Sequence, residues 1–131
     1  SKGVGDNENS IQTLLTYKNF SMLFTGDAGI DTLEEIKCNI PKPITVLKVG
    51  HHGANGVINK HLVKDLSPKI SLISVGENKF GHPTIYTLEV LKDTRILRTD
   101  IHNSIKFVVN AKGYKIFTFD SKAKKYIRYK D

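Results

Sequence analysis

An α/β fold on a parallel or mixed sheet is what this sequence predicts, and three observations predict it. Short apolar runs alternate with stretches of helical spacing between residues 20 and 99, the pattern of βαβ units. Three apolar runs give way to turns that carry an Asp or a His: Thr25-Gly26-Asp27, Lys48-Val49-Gly50-His51-His52-Gly53 and Gly81-His82-Pro83. In an open α/β sheet the carboxyl ends of the strands are where ligands bind. Beyond Asp100 the alternation gives way to three strand-like segments, which predicts a β extension at the C-terminal end.

The elements follow in order. Residues 1–9 are polar and glycine-bearing and read as an irregular lead-in. Runs 11–17 and 20–25 are strand-like and separated by Lys18-Asn19, the length of a tight hairpin. Gly26 and Gly29 bracket Asp27 in a turn, and Asp31 is placed to cap a helix running to about Cys38, with Leu33, Ile36 and Ile40 at helical spacing. Pro41 and Pro43 end it. Run 44–49 is a strand that stops at the paired histidines; 59–66 reads as a helix with Leu62, Val63 and Leu66 on one face. A buried strand at 70–75, a loop at 76–83, a helix at 84–91 and a strand at 95–99 complete the alternating region. Segments 104–109, 114–119 and 125–129 are the last three strands, with a hairpin signal at 110–113 and a turn at 121–124.

With 131 residues, 39% of them hydrophobic and 25% charged, the chain has room for one domain with one core. We divide it at 1–110 and 111–131, the second part being a basic β-hairpin extension of the same domain. No run is long enough to span a bilayer and no signal-peptide pattern is present, so the chain itself is expected to be soluble. The single Cys38 excludes an internal disulfide and is expected as a small buried hydrophobe, not a nucleophile. The formal charge is +7, and eight basic against two acidic residues lie from Lys106 onward. Lysines on a hairpin are ordinarily solvated. A patch that attracts polyanions is the functional reading, with Lys122, Lys124 and Lys125 as nucleic-acid contacts. The interleaved Tyr114, Phe117, Phe119, Tyr126 and Tyr129 are then either base-stacking groups or core.

Asp27 alone is a turn residue; in the company of the later histidines it becomes a candidate metal ligand. Neighbouring residues on an extended strand point to opposite sides. His51 and His52 therefore cannot both ligate one ion unless the strand has already turned. His51 is the preferred metal ligand and His52 a substrate-contacting or supporting group. His82, held by Pro83, can contact a phosphate, act as a general acid or cap the next helix. His61 is expected to be solvated, and His102 to be a turn residue beside Asp100 and Asn103. The sequence has no P-loop, no nucleophile-elbow serine and no CxxC pair.

Taken in order, several blocks resemble the metallo-β-lactamase fold, specifically the hydrolase-like domain of the ComEC/Rec2 competence proteins. They are Asn7, Asn9, Ser10 and Ile11, then FTGD ending at Asp27, VLKVGHHG ending at Gly53, SPKISLISVG ending at Gly76, the N-x-x-GHP run from Asn78 to Pro83, and RTD ending at Asp100. The resemblance covers residues 7 to 110. It implies half of an αββα sandwich, with a mixed sheet and flanking helices. It also implies a metal-dependent phosphodiesterase or nuclease centre using zinc or manganese, and a DNA substrate. Asp27 then matches the acidic metal ligand, His51-His52 the late histidine motif and His82 the GHP motif, while Asn7 or Asn9 stands where a middle histidine is usual.

The HxHxDH-type run of that fold is absent, and no histidine precedes His51. We therefore expect the chain to be the C-terminal half of such a domain, inactive and without a stable metal by itself. Its expected partners are the N-terminal half-domain, DNA held weakly, and further copies of itself through exposed sheet edges. The resemblance implies a membrane-associated parent with this domain outside the cytoplasm, or a secreted one. A non-catalytic DNA-binding or protein-interaction module on a degenerate scaffold is the alternative.

Overall fold

The computed structural model describes residues 5–130; positions 1–4 of the expected lead-in and position 131 lie outside the described residues. Strands β1 (Thr13–Tyr17), β2 (Phe20–Phe24), β3 (Val46–Lys48), β4 (Ile70–Ile73) and β5 (Arg95–Arg98) form one mixed sheet in sequential order. The β1–β2 pair is an antiparallel hairpin and the other three pairings are parallel. Helices α1 (Ile30–Ile36), α2 (Lys60–Leu66) and α3 (Ile85–Val90) lie in the crossovers, and a short α4 (Thr99–His102) follows β5. Strands β6 (Ile105–Asn110), β7 (Gly113–Asp120) and β8 (Lys125–Arg128) form a second, antiparallel sheet. The fold is α/β with a mixed sheet, flanking helices and a C-terminal β extension.

Alternation along each strand sends side chains to two separate cores. Leu23, Leu47 and Ile73 face the helices, where they meet Leu33, Leu62, Leu66, Val90 and Leu91. Phe20, Met22, Val46, Ile70 and Leu97 face the other way, onto Ile116 with Phe107, Val109, Tyr114 and Tyr129. The second sheet is thus the far layer of a helix–sheet–sheet stack. The boundary between 1–110 and 111–131 falls in the tight turn between β6 and β7, whose strands pair from Ile105↔Thr118 to Asn110↔Gly113.

Local chemistry sets the helix starts. Asn59 Oδ1 accepts from Leu62 N at 2.8 Å and Thr84 Oγ1 from Thr87 N at 3.2 Å, both N-caps. The cap of α1 is Gly29 instead of Asp31, which sits in the first turn. There the Glu8 carboxylate accepts from Gly29 N and from the Thr32 hydroxyl, so a carboxylate from the lead-in does the work expected of the helix's own Asp. Cys38 is exposed, not buried: α1 ends at Ile36, and the following 3-10 turn rotates residue 38 off the apolar face while Ile40 packs inward.

Helices α1 and α2 are tied by Lys37 Nζ, 2.7 Å from both Glu34 Oε2 and Asp65 Oδ2. The bond from Lys37 is the main cause that holds Asp65 and Glu34 below the ordinary carboxylate range. The bond to Asp65 is the main cause that raises Lys37. Lowered carboxylates contribute stability above their ordinary pKa values and lose it as pH falls; the raised lysine loses its share only as pH climbs past its own range. Lys37→Met should therefore lower the urea midpoint at neutral pH. The gap to the parent chain should narrow as pH falls below the ordinary carboxylate range and shrink in about 1 M salt, where the Debye length is only ~3 Å.

Ile116, 3% exposed at the junction of the two sheets, tests whether the C-terminal strands belong to the cooperative core. Ile116→Ala should cost about 2–4 kcal/mol, and far-UV dichroism should still report one transition for the whole chain.

Candidate functional site

Parallel register builds the site. Phe24, Lys48, Leu72 and Leu97 form one row across β2 to β5. Asp27 and His51 each fall three residues beyond that row, and Ser74 two residues beyond it. Strands of equal reach thus deliver their turns to one carboxyl-end rim.

The turns after β2 and β3 dock on each other. His51 N donates to Gly26 O at 3.1 Å, and Thr25 Oγ1, fully buried, donates to Lys48 O at 3.0 Å. A Cβ at Gly50 would stand 3.0 to 3.1 Å from Thr25 Oγ1, Ala28 O and Gly26 O, tighter than most Cβ contacts, so glycine suits the close approach of the two turns. Ser10 Oγ accepts from Asp27 N at 3.0 Å and fixes the Asp27 turn from the lead-in side.

At the histidines the strand has already turned. His51 to Gly53 form a 3-10 turn, and His51 and His52 have φ of 44° and 56°, a strained left-handed pair of the kind that clusters at functional sites. The rings diverge. His51 Nδ1 lies 3.3 Å from the Asn7 amide nitrogen, and its ring centroid is 5.6 Å from that of His82. His52 Nδ1 donates to Ser74 O at 2.7 Å, with its centroid 6.3 Å from His51. A carbonyl accepts only from an N–H, so this bond leaves the His52 Nε2 lone pair free and aimed away from the strand. Metal-binding histidines are commonly held this way.

His82 is presented by a loop that Asn78 staples shut. Asn78 Nδ2 donates to Gly76 O (2.9 Å) and His82 O (2.8 Å), while its Oδ1 accepts from Phe80 N and His82 N, both at 3.1 Å. Phe80 stacks on the His82 ring at 5.7 Å and, with Ile85 and Tyr86, leaves an exposed apolar margin beside the rim. Pro83 presses against Gly53, where a Cβ would come within 2.6 Å, and Thr84 N donates to Gly53 O at 3.0 Å. The His82 loop is thereby seated on the His51-His52 turn. Lys48 brings a cation to the same rim: burial pushes its ammonium below the ordinary lysine range, and the charge of Asp27 pulls in the opposite direction.

The structure thus gathers Asp27, His51, His52 and His82 at one rim. Asn7 is the lead-in residue beside His51. Among the described residues, no group of three His, Cys, Asp or Glu side chains is arranged to hold a metal ion. His61 and His102 lie elsewhere. His61 is exposed, 3.3 Å from Glu34 Oε1, and His102 ends α4, where its Nδ1 is 3.0 Å from Arg98 N. Asp100 is engaged by Arg98 through two bonds of 3.0 and 2.6 Å, which hold its carboxyl below the usual range. Lys122 and Lys124 sit in the β7–β8 turn, while Lys125 pairs across from Asp120 in the sheet. Sequence reasoning passed over Asn78 and Lys48 as working residues; their place inside the N-x-x-GHP and VLKVGHHG blocks was the available signal.

The chain is 32% identical over 105 residues to ComE operon protein 3 of Bacillus subtilis (strain 168); the match takes in 77% of this chain and 14% of that protein. It links the chain to ComE operon protein 3 and covers only a small part of that protein's length. No family model matches the chain, and no solved structure does. No helix among the described residues is long and apolar enough to cross a membrane.

Asn78→Ala removes four hydrogen bonds that involve no other side chain. With each such bond worth about 0.5–1.5 kcal/mol, the Phe80 and His82 amides should exchange with solvent at least about tenfold faster. Amides of β3 and β4 should be unaffected.

Proposed function

We propose that this rim is part of the centre of a metal-dependent hydrolase of the metallo-β-lactamase type, acting on phosphodiester bonds in competence and DNA uptake. One observation carries the reading: the Asp27 turn and three imidazoles meet at the carboxyl edge of parallel strands. The similarity to ComE operon protein 3 supports the competence setting, and with it a membrane-associated parent that presents this domain outside the cytoplasm.

Asp27 and His51 would hold a divalent ion, zinc or manganese, with the remaining ligands coming from outside these residues. The donor chemistry fits such an ion, since carboxylate and neutral imidazole are both zinc and manganese ligands. When bound, the ion supplies Lewis-acid polarisation of a phosphoryl oxygen and a water of lowered pKa. His52, fixed by Ser74, and His82, fixed by Asn78, are the chain's own contributors. Each offers an imidazole suited to contacting a phosphate oxygen or passing a proton to a leaving one. Lys48 adds positive charge beside the Asp27 turn, favourable to an anionic substrate.

A non-catalytic DNA-binding or interaction module on the same scaffold is the second reading. The eight basic against two acidic residues from Lys106 onward favour it.

The test uses the longest natural protein that contains this chain, zinc or manganese titrated by calorimetry, and a p-nitrophenyl nucleotide phosphodiester as substrate. Chelator-sensitive turnover is expected, and Asp27→Asn or His51→Ala should lower it by about 100-fold or more. The 1–131 chain alone should show none. Robust chelator-sensitive turnover by 1–131 would sink the idea that ligands come from elsewhere. Failure of the longer protein to bind either metal would hand the reading to the non-catalytic module.

A further inference from the structure

The second sheet has two faces of opposite character. Its inner rows put Ile105 opposite Thr118 and Phe107 opposite Ile116, and Ile105, Phe107 and Ile116 pack against the main sheet. Tyr114 and Tyr129 belong to that buried layer too: Phe20 meets Phe107 at 6.1 Å and Tyr114 at 5.6 Å. These aromatics are core.

The outer rows read differently. Lys106, Phe117 and Arg128 are directly opposite one another across the three strands, flanked by Phe119 opposite Tyr126 and by Val108 opposite Lys115. No carboxylate stands at any outward position of these strands. Lys106 Nζ lies 4.5 Å from the Tyr126 ring centre and 5.3 Å from that of Phe117, and the Arg128 guanidinium lies 5.9 Å from Phe117. Phe119 packs edge-on against Tyr126 at 5.4 Å. Tyr126 is 41% exposed and Val108 43%.

We infer that the outer face of β6–β8 is a stacking platform for single-stranded nucleic acid. Phe119 and Tyr126 are opposite each other on adjacent strands, and Phe117 stands two residues along β7 from Phe119, ~7 Å at the strand rise; every base has a face to stack on such rings. Lys106, Lys115 and Arg128 stand among the rings as phosphate contacts. In the free protein Lys106 and Arg128 rest on the rings by cation–π attraction; a polyanion draws them to its phosphates and uncovers the ring faces. A duplex hides its base faces and can use only the cations. An acidic peptide likewise has carboxylates for the cations and nothing planar for the rings. The occupant that uses both is an unpaired strand. The surface is built without Asp27 or the histidines, so the inference stands apart from the hydrolase reading and adds to it a second hold on the same polymer.

The experiment is fluorescence anisotropy of the 1–131 chain with a labelled 12-nucleotide oligo-dT and, separately, a 12-base-pair duplex. Oligo-dT should bind at least about tenfold more tightly than the duplex at equal salt. Its log–log salt slope should be about −2, from ~0.7 per phosphate for three cations on a single strand. Phe117→Leu with Tyr126→Leu keeps apolar bulk while removing the rings. It should weaken oligo-dT binding by tenfold or more, from stacking worth ~1–3 kcal/mol per base, and leave the salt slope unchanged. Lys106→Gln with Arg128→Gln should flatten the slope. Lys122→Gln with Lys124→Gln, in the turn outside the Lys106–Phe117–Arg128 row, should change affinity less than about threefold. Far-UV dichroism and the urea midpoint confirm that each variant is folded. Equal or tighter duplex binding, or a leucine pair that binds oligo-dT as well as the parent, overturns the platform. Competition by poly-glutamate at equal charge concentration, as effective as by oligo-dT, overturns it in favour of an acidic protein partner. Zinc titration of the longer natural protein reports on the histidine rim alone, so failure of either reading is seen separately.

Discussion

The close contact between the turns that end β2 and β3 is what the rest of the rim depends on. It needs two backbones to approach without a side chain between them, and Gly50 permits this while the His51 N–H to Gly26 O bond holds it. Buried Thr25 closes it from the β2 side through Lys48 O. Once the two turns are joined, the backbones that carry Asp27 and His51 are held at hydrogen-bond distance. The Gly53 carbonyl is then in place to receive Thr84 N, and through it the His82 loop. A side chain at position 50 would require the oxygens of Thr25, Gly26 and Ala28 that face it to give by a few tenths of an ångström.

Around that contact the residues divide their work between holding and presenting. Ser10, Thr25, Asn78 and Thr99 spend their polar atoms on backbone groups of neighbouring turns; Thr99 Oγ1, for one, both donates to Val75 O (2.7 Å) and accepts from Val75 N (2.8 Å). Each satisfies donors or acceptors that the ends of short strands leave without ladder partners. The imidazoles keep a nitrogen for other use. Such division is what a site needs if its groups are to stay in place without being consumed by the fold.

The second sheet serves two ends at once because strand alternation allows it. Its inner rows complete the apolar layer over Met22, Val46, Ile70 and Leu97. Its outer rows are thereby free to carry rings and cations at no cost to the core. Basic residues concentrated near the C-terminal end thus lie in two settings, a solvated turn at 121–124 and an ordered sheet face. Only the second combines charge with aromatic surface.

The sequence by itself determined the order of strands and helices, because apolar periodicity and Gly, Pro and Asn punctuation are local signals. It also picked out Asp27, His51, His52 and His82, since an Asp or His where an apolar run stops is visible in one dimension. It did not determine which carboxylate caps α1, because Glu8 reaches Gly29 from 21 residues away. Nor did it settle the place of Cys38, whose exposure turns on where a helix tightens into a 3-10 turn. Which aromatics of the last strands are core and which face water was likewise undecided. Period-two alternation gives two faces but not their identity, and only packing of Ile116 against the main sheet chose between them. The spacing of the three histidine rings was decided last, by parallel register and by the left-handed turn at His51-His52, since both are properties of chains brought side by side.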